Sequence, residues 1–323
     1  MLTKALSHLL FAVSVVNFFP VDGAMLELQA GVSTPVEAVM TSLPYGAFPS
    51  LPKAESKLIP PPVKVDLGSF GVVTSAQSAV VIDAASGAVL FSKNPNEVRP
   101  IGSITKLLTA LVFLETEPDL ASYVTVTPDD FAGTGRVYVY YDDALTLENV
   151  LGASLVGSDN TATLALVRHS GLTKDEFVAR MNTKAIELGM LSSRFEDPSG
   201  LSVKNVSTVT EVSLLLAAAK AQAEMAQFMT DATLNVPQMS GRVAVIPSTN
   251  LLLTSALNSG NYQVTGGKTG YIPQAGYCVT TAIKYEGHEI YVVVLGADGL
   301  TSRFDDAMAL AGWTFKTFDW TNL

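Results

Sequence analysis

Three short runs hold the residue types from which acyl-transfer chemistry can be built: Ser103-Ile104-Thr105-Lys106, Ser158-Asp159-Asn160 and Lys268-Thr269-Gly270. A serine hydroxyl is a weak nucleophile until a neighbouring base removes its proton. On a helix, a spacing of three puts Ser103 and Lys106 on one face, a turn apart and within hydrogen-bond reach. Lysine serves as such a base only where burial or nearby cations depress its pKa. The apolar stretch Leu107–Leu114 would supply the burial and Lys268 a second cation. Lys268-Thr269-Gly270 is expected between Gly266-Gly267 and a following strand, where backbone can approach a ligand closely.

Each run alone is weak, and the chain carries imitations. Ser50-Leu51-Pro52-Lys53 repeats the serine–lysine spacing, but its prolines deny it a helix. Ser92-Lys93-Asn94 and Ser248-Thr249-Asn250 repeat the Ser-x-Asn spacing. Order sets the first aside, since it precedes the serine–lysine helix. Context favours Ser158 over Ser248, because Ser158 ends a predicted helix at a glycine turn. The lone Cys278 reads as a small buried core residue rather than a reactive thiol. His8, His169 and His288 are scattered, with no Asp and Ser partners for a Ser-His-Asp triad and no metal-ligand spacing. No metal or cofactor is expected.

The elements that must position these residues can be read from the pattern. With 323 residues, 48% hydrophobic and 15% charged, the chain can bury a proper core, which excludes disordered, collagen-like and disulfide-scaffold classes. Its 20 basic and 30 acidic residues give a net charge of −10 without a polybasic run, so no nucleic-acid partner is expected. Ser78–Asp83 and Ala88–Phe91 read as a β-hairpin, and Ser103–Glu115 as a buried helix. Further helices are predicted at Leu147–Val156, Lys174–Leu188, Val209–Met229 and Arg303–Phe315. Thr173 with Glu176, and Thr208 with Glu211, have capping-box spacing, and Gly189 is a stop. Strands Tyr277–Tyr285 and Glu289–Gly296 meet at Glu286-Gly287-His288. Strands at both ends and helices between them imply a mixed α/β fold, an antiparallel sheet built from both chain ends against a helical cluster.

Residues 1–24 read as an export segment: Lys4 precedes an apolar stretch from Ala5 to Phe19, short for a bilayer span. Cleavage, retention as an anchor and burial in a core all remain open from the residues alone. Residues 25–74, punctuated by Pro35, Pro44, Pro49, Pro52 and Pro60-Pro61-Pro62, read as an extended spacer. The catalytic domain is then 75–323.

The three runs, in this order, resemble the motif set of penicillin-binding proteins and class A β-lactamases. Ile101-Gly102-Ser103-Ile104-Thr105-Lys106-Leu107, Leu188-Gly189-Met190, Pro198-Ser199-Gly200-Leu201 and Gly267-Lys268-Thr269-Gly270-Tyr271 narrow the resemblance to the low-molecular-mass D-alanyl-D-alanine carboxypeptidases, over residues 76–316. Ala275-Gly276-Tyr277 and Val294-Leu295-Gly296 agree. The resemblance implies a β-lactamase/DD-peptidase-like fold and a serine peptidase acting on peptidoglycan stem peptides and acylated by β-lactams. It implies that Ser103 is the nucleophile and Lys106 its base, that Ser158 relays a proton to the departing amine, and that Asn160 orients Lys106 and the substrate amide. Lys268, Thr269 and Gly270 would line the carboxylate side, Arg303 would lie near that carboxylate, and backbone N–H groups of Ser103 and Tyr271 would form an oxyanion hole.

A β-lactamase is the nearest rival, but Glu196 lacks the glutamate-to-asparagine pattern that class A enzymes use to activate water. A non-catalytic sensor is disfavoured by the intact Ser103, Lys106 and Lys268, and DD-endopeptidase action would use the same site. Many relatives carry a further β-rich domain and an amphipathic anchor after the catalytic domain. This chain departs from that pattern, ending at Leu323 soon after Trp313-Thr314-Phe315, so membrane contact is expected only through the N-terminal segment, with the enzyme outside the cytoplasmic membrane. The segment Pro128–Asp143 matches no family pattern and either borders the groove or is a plain loop. Tyr138, Tyr140 and Tyr141 within it are read as packing and loop cover.

Overall fold

The computed structural model describes residues 59–320. The export segment 1–24 and the spacer as far as residue 58 lie outside the described residues. Among the described residues, no helix is long and apolar enough to cross a membrane.

The sheet has five antiparallel strands: β1 (Ser78–Asp83), β2 (Val89–Lys93), β5 (Tyr262–Ile272), β6 (Gly276–Tyr285) and β7 (His288–Ala297). A separate hairpin, β3 (Thr233–Pro237) with β4 (Val243–Pro247), stands outside it. The order in the sheet is β5-β6-β7-β1-β2, so the C-terminal strands continue onto the N-terminal pair as the sequence pattern predicts. Alternation sorts the side chains between two cores. Val80, Ile82, Cys278, Val293 and Leu295 face the helical cluster. Ala79, Val81, Val279, Val292 and Val294 face the other way. That second face is covered by α6 (Ser302–Thr317). Glu286 and Gly287 both have positive φ, 48° and 91°, the two-residue turn whose twist suits a tight hairpin.

Helix α1 (Thr105–Leu114) runs through the middle of the helical cluster, with nine of its residues, Thr105 to Phe113, buried. Around it pack α2 (Leu147–Val156), α3 (Asn160–His169), α4 (Lys174–Glu187) and α5 (Val209–Ala221). The capping box of Thr173 with Glu176 is complete. That of Thr208 is half made: its hydroxyl accepts from the Glu211 N–H, but the Glu211 carboxylate accepts instead from Ser192 N–H and Ser193 Oγ. The helix expected over Val209–Met229 breaks at Gln222, whose backbone is extended, and a single helical turn, Ala223–Ala226, follows. Met225, Phe228 and Met229 are then all buried in the helical core.

Two further expectations are corrected. The spacer stops short of residue 74. Val63–Lys64 pairs with Phe318–Asp319, Val65 N–H donates to the Thr317 carbonyl at 2.9 Å, and Trp313 Nε1 donates to Ser69 Oγ at 2.6 Å. Beyond Pro62 the chain regains its backbone N–H donors and can extend the ladder beside α6. Lys268-Thr269-Gly270, expected just before a strand, lies within β5 at the sheet edge. Polar and glycine-rich, Thr265–Gly270 gives no alternating signal.

Candidate active site

Ser103 sits in a single 3₁₀ turn, Gly102–Ile104, that leads into α1. Three glycines let this turn press against its neighbours. A Cβ on Gly200 would fall 2.1 Å from the Gly102 carbonyl oxygen, one on Gly270 2.1 Å from the Ile101 carbonyl oxygen, and one on Gly102 2.7 Å from Tyr271 N. The close approach sets the backbone of Ser103 beside that of Tyr271, and both residues line one cavity of about 300 Å³. Ser158, Asn160, Thr269, Gly270 and Arg303 line it too.

Lys106 is wholly buried one turn beyond Ser103. Its Nζ lies 3.0 Å from Ser103 Oγ, donates to Asn160 Oδ1 at 2.6 Å, and donates to the Ser199 carbonyl at 2.5 Å. Burial pushes its pKa down to about 7, against the opposing pull of Asp197 and Asp159. Those two carboxylates shape the neighbourhood rather than pair with the amine. Burial opposes the charge of Asp197, but hydrogen bonds from Ser199 Oγ and the N–H groups of Ser202, Ser199 and Gly200 outweigh it and hold the group below its ordinary range. That ring of donors fixes the loop that aims the Ser199 carbonyl at Lys106. Asp159 caps α3 through the Ala162 N–H and also accepts from Tyr138 and Val139 N–H; burial raises its pKa.

Lys268 is also buried, but among the described residues its Nζ has only the carbonyl of its own neighbour Thr269, at 3.3 Å. Burial first, then the charges of Lys106, Arg303 and Arg136, hold its pKa far below the ordinary lysine value. Thr269 Oγ1 donates to Thr249 Oγ1 at 2.6 Å. Arg303 Nη1 donates to the carbonyls of Gly270 and Cys278, bracing β5 against β6. Ser158, at φ 59°, ends α2 beyond Gly157 and makes no hydrogen bond to another described residue. Tyr271 stacks on Tyr277 with ring centroids 4.5 Å apart at the cavity mouth.

Thus Ser103, Lys106, Ser158, Asn160, Lys268, Thr269, Gly270, Tyr271 and Arg303 converge, although Lys106 and Lys268 lie behind the cavity surface. Sequence reading missed Gly135, Arg136, Leu201, Thr249, Tyr277 and Leu300, which also line the cavity. Thr249 belongs to the Ser248-Thr249-Asn250 imitation: it is no second Ser-x-Asn site, but it supports Thr269. The segment Pro128–Asp143 borders the groove through Gly135 and Arg136. Tyr138 packs on the helical core, and Tyr140 and Tyr141 stay exposed, away from this cavity. Cys278 is buried, and burial pushes its thiol up to about 11. Glu196 pairs with Arg194 and Lys204 at the surface and does not line the cavity.

This fold, with a serine and a buried lysine at its centre, is that of the penicillin-binding DD-peptidases. The family model described as D-alanyl-D-alanine carboxypeptidase matches residues 71–299, and the chain belongs to that family. A protein from Pseudomonas aeruginosa named D-alanyl-D-alanine endopeptidase is 32% identical over 269 residues, covering 82% of this chain and 85% of its own. One of the same name from Escherichia coli K12 is 32% identical over 238 residues, covering 73% and 76%. The crystal structure of a D-alanyl-D-alanine carboxypeptidase from Mycobacterium tuberculosis is 28% identical, with a TM-score of 0.69, over 78% of this chain and 97% of that one.

Proposed function

We propose that the protein is a serine DD-peptidase of peptidoglycan stem peptides, working through an acyl-enzyme on Ser103. The observation that carries this reading is the Lys106 amine, 3.0 Å from Ser103 Oγ and buried so that its neutral form is accessible near pH 7. In the proposed reaction, Ser103 Oγ attacks the carbonyl of the penultimate D-alanine while Lys106 Nζ accepts the hydroxyl proton. Negative charge forming on the carbonyl oxygen meets the N–H groups of Ser103 and Tyr271. Collapse breaks the peptide bond, and the departing amine takes its proton through Ser158. Water then cleaves the ester, releasing the shortened peptide as its carboxylate and restoring Ser103. Asn160, which accepts from Lys106, orients it; Lys268, Thr269 and Arg303 draw the substrate carboxylate to the strand side.

The sequence reading favours carboxypeptidase action, removal of the terminal D-alanine. A second reading, endopeptidase cleavage of a D-alanyl cross-link, is favoured by the name shared by the two relatives at 32% identity. Export, and action outside the cytoplasmic membrane, follow from the peptidoglycan substrate and the apolar N-terminal stretch. The test is to incubate the protein with a fluorescent penicillin, a stem pentapeptide and a cross-linked dimer of stem peptides. A persisting adduct on the Ser103 peptide, with hydrolysis of either peptide, supports a DD-peptidase, and the faster substrate chooses between the two readings. Rapid penicillin turnover without an adduct would assign a β-lactamase instead.

A further inference from the structure

Five of the seven arginines, Arg99, Arg168, Arg180, Arg194 and Arg242, are ion-paired with a carboxylate. Arg136 and Arg303 have no such partner among the described residues, and both line the cavity that holds Ser103. Among the described residues no Asp or Glu lines that cavity, in a chain whose net charge is −10. A cavity with cations and no internal counter-charge suits an anionic ligand.

The two arginines are held differently. Arg303 is turned into the protein: besides its bonds to the Gly270 and Cys278 carbonyls, its guanidinium lies 4.6 Å from the ring centre of Phe304 and 5.5 Å from that of Tyr277. Arg136 has an exposed side chain on a pinned backbone. Asn160 Nδ2 donates to the Thr134 carbonyl at 2.9 Å, and Asn160 N–H donates to the Arg136 carbonyl at 3.4 Å. Tyr138 and Val139 N–H are bound to Asp159 on the far side. Gly135, at φ +98°, makes this contact achievable, since a Cβ there would fall 2.2 Å from Asn160 Nδ2. The root of Arg136 is therefore tied to the same Asn160 that accepts from Lys106. Its charge reaches across the cavity, where it helps to depress the pKa of both Lys268 and Arg303.

We propose that Arg136 is a specificity-determining residue, whose guanidinium pairs with the carboxylate of the substrate's leaving residue from the wall opposite β5. The inference rests on the DD-peptidase reading above. Arg136 and Thr269 then clamp one carboxylate from two sides, and the substrate class is a peptide whose leaving residue carries a free, ionised α-carboxylate. Guanidinium is suited to this task because it presents paired donors to a carboxylate and remains charged throughout the working pH range.

The test uses the full chain and two stem peptides differing only at the leaving residue, one ending in a carboxylate and one in a carboxamide. Arg136→Ala is expected to lower kcat/KM for the acid by about tenfold, mainly through KM, and to lower that for the amide much less, so the acid preference shrinks. Arg136→Lys is expected to restore part of that preference. An equal loss on both peptides would overturn the proposal, because it would mean that Arg136 acts only through its loop. An unchanged acid preference would overturn it as well. Fluorescent penicillin labelling of Ser103 reports that the variant is folded, and Arg136→Gln gives the same ratio if the alanine variant is not. A wild-type chain that neither cleaves the acid nor forms a Ser103 adduct would remove the DD-peptidase reading itself, and this inference with it.

Discussion

Along the helical wall of the cavity, Lys106 is held by Ser103, Asn160 and the Ser199 carbonyl within 3.0 Å; along the strand wall, Lys268 has a single hydrogen bond among the described residues, at 3.3 Å to its own neighbour. The same contrast extends to the surroundings. Asp197 and Asp159 are each met by several N–H donors, with Thr161 Oγ1 beside Asn160 left without a partner among the described residues, whereas on the strand side Asn250 Nδ2, Thr280 Oγ1 and Arg303 Nε all lack one. A polar network satisfied by the protein is rigid and ready before substrate arrives. Of these strand-side groups Arg303 alone lines the cavity, and a buried donor without an acceptor gains when a ligand supplies one. On the proposed reading, one wall prepares the chemistry and the other waits for charge.

Removing the amine from the prepared wall should have the largest effect. Lys106→Ala is expected to cut acylation by fluorescent penicillin by about 10³-fold or more, the upper part of the range for a general base. It should also lower the melting temperature, because Asn160 and the Ser199 carbonyl lose their donor. Retained labelling in this variant would refute the base assignment.

On the waiting wall the signs should separate. Lys268→Met is expected to reduce kcat/KM for a stem peptide by about 100-fold, the scale of a lost charge-assisted contact in a desolvated site. Thermal stability should hold or rise, since a buried cation repelled by its neighbours is gone. Lys268→Arg, which keeps the charge, should lose less activity than Lys268→Ala. A large fall in melting temperature for Lys268→Met would erase the distinction between the walls.

The pH profile offers a smaller, graded check. Only neutral Lys106 can accept the Ser103 proton, and its pKa is lowered to about 7. The acylation rate should therefore plateau above about pH 7 and fall by about tenfold per unit below it, as the amine is protonated. A profile still rising at pH 9 would place the base in an ordinary lysine environment. The smallest effect is reserved for Glu196→Gln, expected to alter deacylation by less than about twofold, as for a surface substitution. A larger change, measured as loss of the Ser103 adduct over time, would bring Glu196 into the water-activating role.

Much of the site was legible because its chemistry is local in sequence. Ser103 and Lys106 lie one helical turn apart, and the surrounding apolar run announces burial. Helix α2 was readable at its bounds, and Thr173 with Glu176 announced the start of α4, since periodicity and capping are short-range signals. Strand β5 was less legible, because two adjacent glycines, a threonine and a lysine suppress alternation. The half-used capping box at Thr208 could not be foreseen either, since Glu211 finds its alternative partners in a separate loop.

The sequence by itself determined that a serine and a lysine stand one helical turn apart at the head of a buried helix, the α/β class, and the joining of both chain ends into one sheet. Tertiary structure alone decided that Thr249 supports Thr269, that residues 63–74 belong to the folded domain, and that Arg136 reaches the cavity beside Asn160. The physical reason is range. Helix faces, caps and strand alternation are fixed by neighbours a few positions away, whereas cavity walls and counter-charges arise where segments distant in the chain meet. No local pattern records that Gly200 lets its loop touch Gly102, or which two of the seven arginines are left without an acid among the described residues.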